Sequence, residues 1–374
     1  MFKSSRVPFL LFAIALCALS AVTFAAKGSC LDEPAPIKEP LPVFFLHGWT
    51  ANSSYGRNFD TVLSAEGRLY KALNFCENEC SSSALNTQVP LAIAQIESIT
   101  VNDSRYDDGY VFIAHSQGGL LGRAIIEEWD DHKVKVLVSL AGAQNGIFYG
   151  PQATDDIALS KFVAGGSAKT IAALLNRTTA YTNADLKGKL QRDYAEAIFT
   201  HPEMQTNSAV NMMRQPVFTE WARTNEFIPK YNNVNACAAG DTVCTEEKAR
   251  RRTNFLKLEA AHFFASPLDG TVVPWQGSLL GQYSEVDTLD EIETEFSSLK
   301  IINNTETREY MSDTYGLQTL DKRGGVFFHA IENIVHMCWM YDFMPAGSTD
   351  LCLWKPLYDN YLAPVLNGPS FFIK

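Results

Sequence analysis

Short, unbroken apolar runs alternate along this chain with longer segments in which apolar residues recur every three to four positions. Pro42 to Leu46 (PVFFL) is apolar throughout and stops at His47-Gly48, as expected of a parallel strand buried on both faces. Leu69 to Leu73 reads as a second strand. Asn86 to Ile99 carries its apolar residues at helical spacing in VPLAIAQIESI. Tyr110 to Ala114 is the next strand, Leu120 to Trp129 the next helix, and Lys133 to Leu140 (KVKVLVSL) a further strand closed by Ala141-Gly142. Strands alternating with helices predict an α/β fold, with a mostly parallel central sheet covered by helices on both faces. The alternation stops between about Gly150 and Arg252, where the chain is polar and helix-prone. No linker sets this region off, so it reads as a helical insertion over one end of the sheet within a single domain, 27–374. Strand-like runs resume at Phe255 to Leu258 and at Val326 to Phe328. The aromatic-rich tail from Met340 to Lys374 is expected to pack back on the body.

The first 26 residues break the pattern. Lys3 and Arg6 precede an apolar run from Phe9 to Leu19, and Thr23-Phe24-Ala25-Ala26 offers cleavage points, the layout of a secretory signal peptide. No later segment reaches the roughly 18–20 apolar residues of a membrane-spanning helix, so no transmembrane anchor is expected. Cysteine usage agrees with export. Cys30, Cys76, Cys80, Cys237, Cys244, Cys338 and Cys352 remain after the signal, and in an oxidising compartment most should pair. The short loops Cys237 to Cys244 and Cys338 to Cys352 are the favoured bridges, and the odd seventh cysteine stays free or pairs between chains. Four sequons, at Asn52, Asn102, Asn176 and Asn303, are expected at the surface as glycan acceptors. A formal charge of -11 argues against a nucleic-acid partner.

The candidate chemistry lies at the junction of the Tyr110 strand and the following helix, AHSQGG. A serine is a poor nucleophile until a base takes its proton, and it must stand clear of the sheet to reach a substrate. A sharp strand-to-helix turn achieves this in backbone that only small neighbours tolerate. That is the G-x-S-x-G elbow, with Ala114 in the first glycine's place and Ser116 as nucleophile. The helix start leaves the Gln117 N–H free for an oxyanion, and FFLHGWT offers a second donor, the N–H of Trp49, after Gly48. In this architecture the acid and then the histidine follow the serine in sequence. Asp269 lies in a turn between Pro267 and Gly270, ahead of Val272-Val273-Pro274. Two histidines follow it. His329 ends the Val326 run, whereas His336 lies seven residues later beyond Glu332-Asn333, as a loop-borne base would, and is preferred.

These segments resemble the palmitoyl-protein thioesterase family of secreted or lysosomal α/β hydrolases. The resemblance is carried by VFFLHGW, NFCENECSSSALNTQV, GYVFIAHSQGGLLGRA, VSLAGAQNGIFYGP, SPLDGTVVP and YGLQTLDKRGG, in family order over residues 42–340. It implies a Ser116–Asp269–His336 triad, oxyanion contacts from the backbone of Trp49 and Gln117, and hydrolysis of palmitoyl thioesters on cysteine residues of proteins or peptides. Gln152-Ala153 stands where the family has a cysteine, so its disulfides are not carried over. The apolar side chains from Ile147 to Ile228, beginning with Ile147 and Phe148, are expected to wall an acyl groove. They include Phe162, Leu174, Leu175, Ile198, Phe199, Phe218 and Trp221. No cofactor is needed, and the cysteines and histidines lack zinc spacings. A secreted lipase or carboxylesterase acting on oxyesters is the alternative within the same fold. A catalytically inactive secreted binding glycoprotein is the alternative from another class.

Overall fold

The computed structural model describes residues 40–155, 181–182 and 185–367. The signal segment, Cys30, Phe162, Leu174, Leu175 and Asn176 lie outside them. Six strands form one sheet: β1 (Val43–Leu46), β2 (Tyr70–Ala72), β3 (Tyr110–His115), β4 (Val134–Leu140), β5 (Ala260–Ala265) and β8 (Val326–Ala330), in the order β2-β1-β3-β4-β5-β8. Every neighbouring pair is parallel. A separate antiparallel pair, β6 (Gln282–Tyr283) and β7 (Ile301–Ile302), lies between β5 and β8 in sequence.

The apolar runs have no polar face because both faces are covered. Phe44 and Leu46 of β1 pack in one cluster with Leu85, Val89, Ala92 and Ile96 of helix α2 (Leu85–Thr100) and with Leu120 and Ala124 of helix α3 (Gln117–Glu128). Val43 and Phe45 point the other way, onto Phe59 and Leu63 of helix α1 (Arg57–Ala65). The tail joins this second cluster through Trp354, Leu357, Tyr358 and Leu362. Trp354 meets Phe59 edge-on at 5.3 Å and stacks on Tyr358 at 5.1 Å. Burying a side chain such as Phe59 contributes about 1.5–3 kcal/mol.

Two expectations from the pattern need adjusting. Phe255 to Leu258 is not a strand. Phe255 ends a helix, Thr242–Phe255, and the strand begins at Ala260. The spacing F-L-K-L imitates alternation, but Phe255 and Leu258 lie three apart around the end of a helical turn and enter the same core cluster. The true strand, AAHFFA, is buried throughout and so shows no period at all. Helix α3 also starts three residues earlier than the apolar pattern suggests, because Gly118 and Gly119 are poor helix formers placed there for another reason.

Between β4 and β5 the described chain is helical, with Lys189–Thr200, several single turns, and Thr242–Phe255. The last of these lies along α3: Asn254 Nδ2 donates to the Glu127 carbonyl at 3.1 Å, and His132 Nε2 donates to the Asn254 carbonyl at 3.0 Å. Disulfides join Cys237 to Cys244 and Cys338 to Cys352, as expected, and also Cys76 to Cys80. Among the described residues no helix is long and apolar enough to cross a membrane.

Candidate active site

Ser116 sits between β3 and α3 with φ 58° and ψ -125°, a backbone region that L-residues other than glycine rarely occupy. The turn is affordable in space only because its neighbours lack side chains. A Cβ on Gly118 would lie 2.5 Å from the carbonyl oxygens of Leu46 and His47, and one on Gly119 would lie 2.7 Å from Ser139 Oγ. These glycines let α3 start against the ends of β1 and β4. Ala114 is accommodated because Gly122, one turn into α3, presents no side chain to its methyl.

Three segments converge on the serine. His336 Nε2 accepts the Ser116 hydroxyl at 3.0 Å, and His336 Nδ1 donates to Asp269 Oδ2 at 2.8 Å. The other carboxylate oxygen of Asp269 accepts the N–H groups of Thr271 at 2.8 Å and Val272 at 3.1 Å, and the side chain is 1% exposed. The acid follows β5 and the histidine follows β8, adjacent strands in the sheet. Ser266 ties their loops together, its hydroxyl accepting the N–H of Leu268 at 3.2 Å and of Ile334 at 3.1 Å. Neither Ser266 nor His115 is marked by any sequence signal, since each matters only through a partner far along the chain. His115 donates Nε2–H to the His336 carbonyl at 3.0 Å, and its ring lies 4.7 Å from that of His336. Burial, then the neighbouring His336, holds His115 well below the ordinary imidazole range, so it stays neutral beside the base.

His329 does not reach this site. Its ring stacks on Phe264 at 4.1 Å, and its Nε2 is bonded to His262 Nδ1 at 3.1 Å. Burial lowers it to about 4. An unfolded imidazole titrates near 6.5, so between these values the unfolded chain takes up the proton and stability falls as the pH falls. The thermal midpoint of the wild type should therefore drop more steeply from about pH 6.5 to about pH 4 than that of His329→Phe, which keeps a flat ring on Phe264. Equal slopes in a calorimetric pH series would refute this assignment.

The N–H groups of Trp49 and Gln117 find no acceptor among the described residues and flank the serine. Gly48 brings the Trp49 turn close, since a Cβ on it would lie 3.0 Å from Ser116 Cβ. Gln117 opens a twelve-residue helix, whose N-terminal dipole favours an anion. Ile147 and Phe148 are buried. Ile147 N–H donates to the Met212 carbonyl and its own carbonyl accepts from Arg214, while Phe148 packs with Tyr283 and Phe296 in a third apolar cluster. Ile198 and Trp221 lie in the main core, and Phe199 and Phe218 are half-buried against it. A buried ion pair, Arg214 to Glu309 at 2.8 Å, with Asn145 Oδ1 also bonded to Arg214, fixes the loop after β4. Among the sequons, Asn102 and Asn303 are exposed. Asn52 is half-buried, its carboxamide oxygen accepting the Ser54 N–H at 3.0 Å. No group of three His, Cys, Asp or Glu side chains suited to a metal occurs among the described residues.

Comparison with known proteins bears on this geometry. The family model for palmitoyl protein thioesterase matches residues 42–336, most of the chain and all three converging segments. The chain belongs to that family. The relatives it matches are named as thioesterases, a class of hydrolase. It is similar to lysosomal thioesterase PPT2 of Homo sapiens, 25% identical over 83% of this chain and 86% of the relative. It is also similar to lysosomal thioesterase PPT2-B of Xenopus laevis, 25% identical over 62% of this chain, and there the match spans 64% of the relative's length. Among solved structures, a monoacylglycerol lipase from Paleococcus ferrophilus aligns over 80% of this chain and 89% of its own, at 10% identity and TM-score 0.36. Carboxylesterase CesB from Bacillus subtilis aligns over 89% and 85%, at 9% identity and TM-score 0.38. The parallel sheet with its helices on both faces agrees with the α/β-hydrolase fold expected of that family.

Proposed function

We propose that the protein removes long-chain fatty acyl groups, palmitoyl among them, from cysteine residues of proteins or peptides in the secretory pathway or the lysosome. The observation that carries this reading is the continuous hydrogen-bonded series from Ser116 through His336 to Asp269, in a chain of the thioesterase family. His336 takes the proton of Ser116 as Oγ attacks the thioester carbonyl, and Asp269 holds the imidazole in the tautomer that can accept it. The oxyanion of the tetrahedral intermediate lies against the N–H groups of Trp49 and Gln117. Collapse expels the cysteine sulfur, which takes the proton held by His336 and departs as the thiol, leaving Ser116 acylated and His336 neutral. Water, deprotonated by His336, then attacks the acyl-enzyme, and His336 returns that proton to Ser116 Oγ as the fatty acid leaves. No step calls for a cofactor. The apolar segment that starts at Ile147 and Phe148 is the proposed wall for the acyl chain, each of whose methylenes gains about 0.8 kcal/mol on burial. The names of the relatives support the lysosome as destination. Asn52, Asn102, Asn176 and Asn303 remain the proposed glycan acceptors.

The test is a comparison of palmitoyl thioester and oxyester substrates matched in every other atom. A thiol leaving group with pKa near 8.5 departs more readily than an alkoxide, so many serine hydrolases favour thioesters to some degree. The ratio of the two kcat/KM values must be set against that of a true lipase. It is expected to exceed the lipase's by about tenfold or more, about 1.4 kcal/mol of transition-state discrimination. Equal ratios would favour a lipase or carboxylesterase on oxyesters.

A further inference from the structure

Both backbone segments that flank the serine on the oxyanion side meet at one residue outside the triad. Ser81 is fully buried and follows directly on the turn closed by the Cys76–Cys80 disulfide. Its hydroxyl donates to the Asn78 carbonyl at 2.5 Å and accepts the Thr50 N–H at 2.7 Å, so its proton is committed and a lone pair is aimed at Thr50. Its carbonyl accepts from the side chain of Gln117 at 2.9 Å. The next residue, Ser82, accepts the indole N–H of Trp49 at 2.9 Å. Thr50, Cys76 and Asn78 all have positive φ, at 51°, 46° and 55°. Three non-glycine residues in that region, on two segments facing each other, persist only where their surroundings over-determine them.

We propose that Ser81 is a positioning residue for oxyanion stabilisation, joining the turn that carries the Trp49 N–H to the helix start that carries the Gln117 N–H. This rests on the reading of those two groups as the oxyanion donors. The peptide after Trp49 is fixed by the Ser81 hydroxyl and the Trp49 ring by Ser82, and the peptide before it shares the Trp49 Cα. The peptide that carries the free N–H is held at its other end, where the Gly48 carbonyl accepts the Ala51 N–H at 3.3 Å and is bonded to His47 Nδ1 at 3.0 Å, so anchoring both sides of the Trp49 Cα sets the direction of that N–H. The Ser81 carbonyl gives Gln117 a fixed distance from the same point. Charge on the oxygen develops in the transition state, so a donor displaced by a few tenths of an ångström lowers kcat and leaves ground-state binding nearly unchanged.

The experiment is steady-state kinetics of Ser81→Ala on a palmitoyl thioester, with thermal unfolding of the same preparation. Complete loss of an oxyanion donor costs about 10²- to 10³-fold in kcat. Displacement should cost less, and a fall in kcat of about 10- to 100-fold is expected with KM within threefold and the acid limb of the pH profile unmoved. A trifluoromethyl ketone bearing the same acyl chain should bind more weakly in parallel, and the free fatty acid should bind as it does to the wild type. If Ser81→Ala does not fold, Ser82→Ala, at a half-buried position, should show the same kcat-specific loss to a smaller degree. A folded variant with kcat within twofold of wild type overturns the proposal, as does a loss carried by KM or by a shifted pH profile. Retained turnover in Ser116→Ala would instead remove the nucleophile on which the oxyanion reading rests.

Discussion

Ser116→Ala is expected to lower thioester turnover by about 10⁴- to 10⁶-fold, the usual consequence of removing a triad nucleophile, while leaving the protein folded. The two halves of this expectation have separate causes. Activity is lost because Oγ is the atom within 3.0 Å of His336 Nε2, and alanine offers nothing to attack the carbonyl. The fold is kept because the backbone bonds of the elbow do not involve the hydroxyl. Ser116 N–H donates to the Leu140 carbonyl at 3.0 Å, and its own carbonyl accepts from Gly119 at 2.9 Å and Ala143 at 3.3 Å. Alanine keeps the small side chain that the left-handed φ and the nearby Gly48 demand. The measurement is turnover of a palmitoyl thioester together with labelling by a fluorophosphonate and circular dichroism. A folded variant with more than a few per cent of wild-type turnover would show that the nucleophile lies elsewhere. Absence of labelling in the wild type would revive the inactive binding glycoprotein.

The elements that could be read in the chain are those whose signal is local. PVFFL, YVFIAH and KVKVLVSL are unbroken because the sheet is covered on both faces, and the AHSQGG junction is visible because a strand and a helix leave no room between them. Asp269 could be picked out from its turn between Pro267 and Gly270, and His336 from its place in the loop beyond the Val326 run, and the structure bonds His336 to both Asp269 and Ser116. The pairings Cys237–Cys244 and Cys338–Cys352 were legible because they close short loops. What was illegible depends on meetings across long stretches of sequence. Ser81 meets Thr50 and Gln117, Ser266 meets Ile334, and His115 meets the carbonyl of His336 more than two hundred residues away. Hydroxyls and imidazoles of this kind look like ordinary loop or strand-end residues until the fold supplies the partner. The misread Phe255 to Leu258 is the converse case, a local pattern outweighed by the tertiary packing of a helix end.

The second large effect separates the two late histidines. His336→Ala should reduce kcat by at least about 10³-fold, the scale of losing a general base that also returns the proton. The surrounding chain should hold its place without the ring. His115 bonds the His336 backbone carbonyl, which alanine retains, and Cys338, two residues on, is anchored to Cys352. His329→Ala should leave turnover within a few-fold of wild type, because that ring is committed to Phe264 and His262 and lies outside the hydrogen-bonded series. Its cost should fall on stability instead, through a lost stacking contact between β5 and β8. Both variants are compared by kcat on the thioester and by thermal midpoint. If His329→Ala loses activity and His336→Ala retains it, the base is His329. The loop from β8 must then adopt another arrangement when substrate is bound, and the contact between His336 and Asp269 would be structural.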